Sequence, residues 1–262
     1  MTRARQTRAE LIEAVRSSIE RIERGSHPRQ DRATLTFGHA ALDEHLPGGG
    51  LALGMLHEVA GAGPDTEHGA AAALFAAGVL ARSHGTVLWV LAHHDLFAPA
   101  LAGVGLHPDR VLYAEAGRPA AVLLVMEEGL RHPGLAGVVG ELDGRLTLTA
   151  SRRLQLAAEA TGSLAIVLRR SRKHDDPALS EPSAAATRWR VAALPASPLP
   201  SHAPDTPGLS YARWRVDLVR CRGAGPQTWT VEACNAQGRL DMAADVEHGQ
   251  AAPAPARHAV AG

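Results

Sequence analysis

The sequence predicts an α/β fold in which a mostly parallel sheet is flanked by helices. Two observations carry that prediction. Short, continuously apolar runs such as Thr86–Ala92 recur along the chain, and stretches with helical periodicity separate them. Strands covered on both faces read as unbroken apolar runs, and an intervening helix is the usual link between parallel neighbours. Composition agrees: 45% of the 262 residues are apolar, enough to fill a core.

The elements follow in order. Residues 5–24 are expected to form a helix, because Leu11, Ile12, Val15, Ile19 and Ile22 recur at helical spacing among arginine and glutamate. Gly25-Ser26-His27-Pro28 ends it. Residues 1–30 are thus read as a helix and linker, free either to pack on their own domain or to dock a partner. The core is assigned to residues 31–242. Its expected strands are Met55–Ala60, Thr86–Ala92, Val111–Ala114, Leu135–Val139 and Ser163–Leu168. Helices are expected near 67–83, 95–103, 118–131 and 150–161, the last capped by Thr149 or Ser151 with Arg152 and Arg153 on its surface.

After Arg169 the character changes. Residues 171–186 are polar and contain proline, as a surface loop would. Arg188–Val191, Arg213–Val216 and Thr228–Ala233 read as antiparallel strands at the sheet's edge. At a period of two, Trp189 and Val191 share one face, and so do Trp214, Val216 and Leu218. Arg188, Arg190, Arg213 and Arg215 then share the other, with Arg220 continuing the basic character. These five arginines are candidates for contact with a protein partner or DNA, although charges on an edge strand also serve simply to protect it. Residues 243–262 are low in complexity and expected to be a disordered tail.

Charge and cysteine content narrow the class. Lys+Arg and Asp+Glu are both 27, so no global basic field argues for nucleic acid. Lys173 is the only lysine. Cys221 and Cys234 make no paired motif, and neither a signal peptide nor a run of about 20 apolar residues is present, as expected for a cytoplasmic protein without membrane contact. Aromatic residues are 3%, so the core is expected to rest on alanine, valine and leucine.

One segment carries a recognisable pattern. Leu42-Asp43 runs on to Leu46-Pro47-Gly48-Gly49-Gly50-Leu51, then to Gly54 and Glu58-Val59-Ala60-Gly61. This resembles the approach to the phosphate loop of RecA-like ATPases, and the resemblance implies a RecA-like core. A working loop reads GxxxxGK[ST], with backbone N–H groups around the phosphates, lysine on the terminal phosphates and a hydroxyl on Mg²⁺. Here Gly61, Gly63, Thr66 and Gly69 mark a degenerate loop: no lysine is available, and Asp65 and Glu67 are expected to cap the following helix. His94 falls nearest the catalytic glutamate position. Gly140 falls at the position of the Walker B aspartate, with Glu141 one residue on. The expectation is a core that is not an enzyme and takes no cofactor.

Longer strings are similar to the ImuA family: Asp95–Leu106, Leu135–Leu142 and Leu148–Ala160, with the late Arg-Trp-Arg-Val segments. The resemblance covers roughly residues 34–242. It implies an accessory role in damage-induced mutagenesis beside an ImuB-type, Y-family-like polymerase subunit and an error-prone replicative-type polymerase, with RecA as a further partner. Two other functions stay open at this point: a divergent RecA-like ATPase, and an inhibitor of cell division of the SulA type.

Overall fold

The structure is a computed structural model that describes residues 33–196 and 211–242. The helix expected over 5–24, residues 197–210 and the tail lie outside the described residues. In chain order the elements are β1 (Thr34–Leu35), α1 (Ala40–Asp43), β2 (Leu51–Ala52), β3 (Leu56–Gly61), α2 (Asp65–Ala81), β4 (Thr86–Leu91), α3 (Ala98–Gly103) and β5 (Val111–Glu115). There follow α4 (Pro119–Leu130), β6 (Leu135–Asp143), α5 (Leu148–Thr161), β7 (Leu164–Arg170), β8 (Thr187–Leu194), β9 (Arg213–Cys221), β10 (Gln227–Glu232) and β11 (Asp241–Met242).

Apart from the small β1–β2 pair, these strands form one sheet in the order β11-β10-β9-β8-β3-β7-β6-β4-β5. The run from β8 to β5 is parallel. The antiparallel part starts at β9, not at β8 as the sequence suggested. Strand β8 is internal, paired in parallel with β3, because the loop over residues 171–186 carries the chain past β3 before it turns back into the sheet.

Side chains divide between the two faces. One face packs on α2 and α3 through Phe75, Trp89, Leu101, Val139, Ile166, Trp189 and Trp214. The other packs on α4 and α5 through Val90, Met126, Val138, Leu154 and Val167. Aromatics contribute more to the core than their scarcity suggested. Phe37, Phe75, Trp189 and Trp229 form one cluster with centroids 5.5–6.2 Å apart. Concentrated in one place, a few large rings bury more area than their number implies. Gly78 on α2 lets the segment after β10 approach: a Cβ there would lie 2.3 Å from the Cys234 Sγ.

A polar chain is threaded through this core at the start of β3. His57 is 1% exposed. Its Nε2–H donates to the Ala52 carbonyl at 2.9 Å, and its Nδ1 accepts from the Thr187 hydroxyl at 2.8 Å. Thr187 Oγ1 in turn accepts from the Trp189 indole N–H at 2.7 Å. The chain fixes a neutral imidazole, and burial lowers its pKa from 6.5 to about 4, against the smaller opposing effect of the Ala52 hydrogen bond. A histidine with a depressed folded pKa contributes stability that is full above pH 6.5 and lost as pH falls toward 4. Over that window the loss is about 3 kcal/mol. An NMR titration of His57 should show it neutral down to about pH 5, with the urea midpoint falling between pH 6.5 and 5. An imidazole midpoint near 6.5 would contradict this reading.

Candidate functional site

Strand β3 delivers the chain into the loop Gly61–Pro64 at the C-terminal end of the sheet, and α2 leaves it. In nucleotide-binding α/β folds this turn takes phosphate on free backbone N–H groups at the helix N-terminus. Here two of those donors are in use. The Ala62 N–H donates to the Val191 carbonyl at 3.0 Å, and the Asp65 N–H donates to the Ser171 carbonyl at 2.8 Å. His68 lines the inside of the turn: a Cβ added at Gly61 or Gly63 would lie 3.0–3.1 Å from it. The His68 Nδ1 accepts the Ala193 N–H at 3.2 Å, which ties α2 to β8. Gly69 sits against the Asp65 side chain, and Thr66 stands exposed on the first turn of α2.

The charge of Asp65 is also in use, though not as a cap. The N-cap of α2 is Pro64, with no side-chain cap. The Asp65 carboxylate instead accepts from Arg170 Nε at 2.6 Å. Arg170, at the end of β7, also donates to Asp95 at 2.9 Å and to Glu141. Glu141 is 2% exposed and accepts the Trp89 indole N–H at 2.8 Å. Burial pushes the Glu141 carboxyl up, against the Trp89 hydrogen bond and the Arg170 charge. Burial alone would lower the Arg170 guanidinium, but the bonds and charges of its three acids outweigh it and raise it.

This geometry corrects two positions read from the sequence. Gly140 faces α4, where a Cβ would meet Met126 Sδ at 2.0 Å. Glu141 faces α2 and so occupies the acidic place at the phosphate loop. Beyond β4, Asp95 reaches the site, whereas His94 turns to Glu115 at 4.0 Å and His93 to Asp143 at 3.8 Å. The acids are therefore present, and a guanidinium of the protein's own occupies the place between them. Three carboxylates and Arg170 thus meet beside the turn, with the Ala62 and Asp65 N–H groups bonded within the fold.

A second buried ion cluster lies on the other face. Glu58 is 1% exposed. One of its oxygens accepts from Arg169 Nη1 at 2.9 Å, the other from Arg188 Nη2 at 3.1 Å and from the Ser183 hydroxyl. Burial pulls the Arg169 guanidinium down, and the Glu58 charge opposes that. The loop over residues 171–186 roofs this cluster, so the expected outward stripe of arginines is broken. Arg188 is 8% exposed, and Arg190 donates to the Leu179 carbonyl at 3.1 Å. Burial, followed by the charges of Arg188 and Arg169, lowers Arg190. Arg213 is half-buried, and its Nε has no partner among the described residues.

Arg215 and Arg220 do stand exposed. Arg215 pairs with Asp217 at 3.2 Å, and Arg220 donates to the Ser183 carbonyl at 3.1 Å. Arg190 and Arg215 meet Gly61 and Gly63 in a cleft of about 340 Å³ beside the loop, walled also by His174, Asp176 and Asp217. Sequence reasoning passed over Arg170 and Glu58, the hubs of both clusters. The available signal was their charge within otherwise apolar strands. On α5 the cap is Thr147, whose hydroxyl accepts the Ala150 N–H at 3.2 Å, rather than Thr149 or Ser151. Ser151 is buried and binds the Ala184 N–H at 3.0 Å.

The fold is RecA-like: a mostly parallel sheet with helices on both faces, a turn of phosphate-loop form after β3, and antiparallel strands added at one edge. The crystal structure of the RadB recombinase is similar, with a TM-score of 0.57 at 18% identity, covering 80% of this chain and 100% of that one. No family model matches the chain. Protein ImuA of Caulobacter vibrioides (strain NA1000 / CB15N) is 42% identical over 213 residues, 78% of this chain and 85% of that protein. Protein ImuA of strain ATCC 19089 / CIP 103742 / CB 15 matches to the same extent. The chain belongs to the ImuA family.

Removing one partner of a buried ion cluster leaves the rest uncompensated, at a cost of about 3–5 kcal/mol. Glu58→Gln should therefore lower unfolding free energy in urea by about that much. Arg170→Gln should cost less, about 2 kcal/mol, because Asp95 is half-exposed and water screens its share. Equal, near-zero losses would mean that neither cluster is formed.

Proposed function

We propose that this protein is a non-catalytic accessory and scaffold of a damage-induced, mutagenic translesion DNA synthesis assembly of the SOS response. In this reading it works in the cytoplasm and bridges an ImuB-type, Y-family-like polymerase subunit and an error-prone replicative-type polymerase, with RecA as a further partner. Membership of the ImuA family supports the setting. The single observation that carries the non-catalytic part is Arg170, bound to Asp65, Asp95 and Glu141 where a nucleotide's phosphates and metal would sit.

A RecA-like core without a nucleotide site still supplies a rigid platform, and what it displays then carries the function. The display lies mainly after β7: the loop over 171–186, the basic face of β9 formed by Arg213, Arg215 and Arg220, and the chain beyond 242. Exposed arginines on a sheet face offer charge to an acidic partner, and a low-complexity tail can fold onto one. Arg188 is left out of this surface by its burial, while Arg190 lines the cleft beside the loop. A divergent RecA-like ATPase is the second reading, favoured by the carboxylates of Asp95 and Glu141 near the loop.

Three outcomes follow from the scaffold reading. Purified protein should show no ATP turnover above background and no thermal shift with Mg-ATP, whereas turnover abolished by substitutions within 61–69 would establish the ATPase. Changing Arg213, Arg215 and Arg220 together to glutamine should leave circular dichroism unchanged and weaken capture of an ImuB-type subunit on the order of tenfold. If that face instead serves DNA, the lost affinity will be steeply salt-dependent. Deletion of 243–262 should weaken capture more than deletion of 1–30. The opposite ranking, with both variants folded, would place recruitment at the amino-terminal segment.

A further inference from the structure

We propose that the cleft beside the phosphate-loop turn receives a carboxylate: an aspartate or glutamate side chain borne on a segment of another protein and gripped by the Arg190 guanidinium. The cleft has a volume of about 340 Å³ and lies between Gly61–Gly63 and the antiparallel strands. Arg190 follows Arg188 on β8 at a period of two, so both stand on the Glu58 face of the sheet. The loop over residues 171–186 covers Arg188 but leaves Arg190 half-buried, lining the cleft. The three arginines of this face are unequally neutralised. Arg169 and Arg188 share the Glu58 carboxylate, at 2.9 and 3.1 Å. Arg190 makes no ion pair among the described residues, and its one hydrogen bond there runs from Nη2 to the Leu179 carbonyl at 3.1 Å. Two acids of the cleft are engaged elsewhere. Asp217 lies directly opposite on β9. Its oxygens accept from Arg215 Nε at 3.2 Å and from the Thr228 hydroxyl at 2.9 Å. Asp176 accepts from the Ser171 hydroxyl at 2.9 Å and from the Ala178 N–H at 3.0 Å. Arg190 is thus left in the field of Arg188 and Arg169 without a counter-ion of its own.

The free donors fix the shape of the ligand. A guanidinium carries five N–H donors, arranged so that each of two forked edges presents a parallel pair. The Leu179 carbonyl takes one of the two donors on Nη2. Whichever edge that donor lies on, the other edge keeps its pair, which matches the two oxygens of a carboxylate. The unbonded nitrogens of Arg190, unlike those of Arg82 and Arg169, are not closed off from solvent. The walls fix the charge. Asp175 stands exposed in the same cleft beside Asp176 and Asp217. A phosphate dianion or a run of phosphates meets repulsion there, whereas one carboxylate supplies the single charge that Arg190 lacks. Arg215 belongs both to the cleft and to the exposed face of β9, so a segment lying along β9 can place one acidic side chain against Arg190. This site does not rest on the proposed function, and no polymerase subunit enters its test.

The full chain is titrated with a blocked Gly-Glu-Glu-Gly peptide at constant ionic strength while the arginine Nε–H signals are followed by NMR. The Arg190 signal should move saturably, with those of Arg169 and Arg170 unchanged. The glutamine counterpart of the peptide should bind about tenfold more weakly, as a charge-assisted pair requires. Arg190→Lys keeps the charge and loses the fork, so it should weaken binding severalfold. Arg190→Gln should weaken it about tenfold with circular dichroism unchanged. Arg118→Gln, an exposed change beyond the opposite edge strand β5, should leave binding as it was. Where Arg190→Gln fails to fold, the comparison of the two peptides on the unaltered chain decides. An Arg190 signal that does not move saturably overturns the proposal, as does equal binding of both peptides or equal movement at every exposed arginine. Tighter binding of inorganic phosphate or of a short single-stranded DNA at the same signal overturns it in favour of phosphate. Acetate that binds as tightly as the peptide overturns the assignment to a protein segment.

Discussion

Strand alternation sends the two consecutive arginines at the end of β7 to opposite faces of the sheet, and each becomes the counter-ion of buried acid. Arg169 goes toward α5 and neutralises Glu58 with help from Arg188. Arg170 goes toward α2 and holds Asp65, Asp95 and Glu141. Strand β7 lies between β3 and β6, so both arginines reach the strands on either side. The buried charge of the C-terminal end of the sheet is balanced from this one dipeptide. A buried carboxylate without such a partner costs several kcal/mol, so the loop over 171–186, the phosphate-loop turn and the segment after β4 all take their positions from it.

The same pairing reaches the turn after β3. A turn between a strand and a helix offers backbone donors and a favourable helix dipole, and either a ligand or the protein must satisfy them. Here the Ser171 and Val191 carbonyls satisfy Asp65 and Ala62, and His68 packs against the glycines. The carboxylates near the turn remain, but their charge is met from within. Arg170 meets three of these carboxylates at once from within the fold.

The other specialised part of the core is its aromatic cluster. Phe37 comes from the segment before α1, Phe75 from α2, Trp189 from β8 and Trp229 from β10. These rings join the amino-terminal part of the domain and the antiparallel strands to the central layer. Strands β9 and β10 are therefore anchored through Trp214, Val216, Trp229 and Val231 on one face, while Arg215 and Arg220 on the other remain available.

By itself the sequence determined the α/β class, the order of strands and helices and the face that carries Trp189, Val191, Trp214 and Val216, because these depend on local periodicity. It also determined that the loop after β3 has no lysine, since the chain's one lysine stands at Lys173. It placed Gly140 and Glu141 one residue apart but not on their faces, and it read Arg188 and Arg190 as outward because alternation separates two faces without saying what covers the second. The roof over those arginines comes from residues 171–186, and the acids that hold Arg170 come from residues 29 to 105 positions away. Ion pairing depends on distance in space, which no spacing along the chain encodes. The tertiary structure alone therefore decided that two runs of charge, each ordinary as a solvated surface, are the buried counter-ions on which this end of the sheet is built.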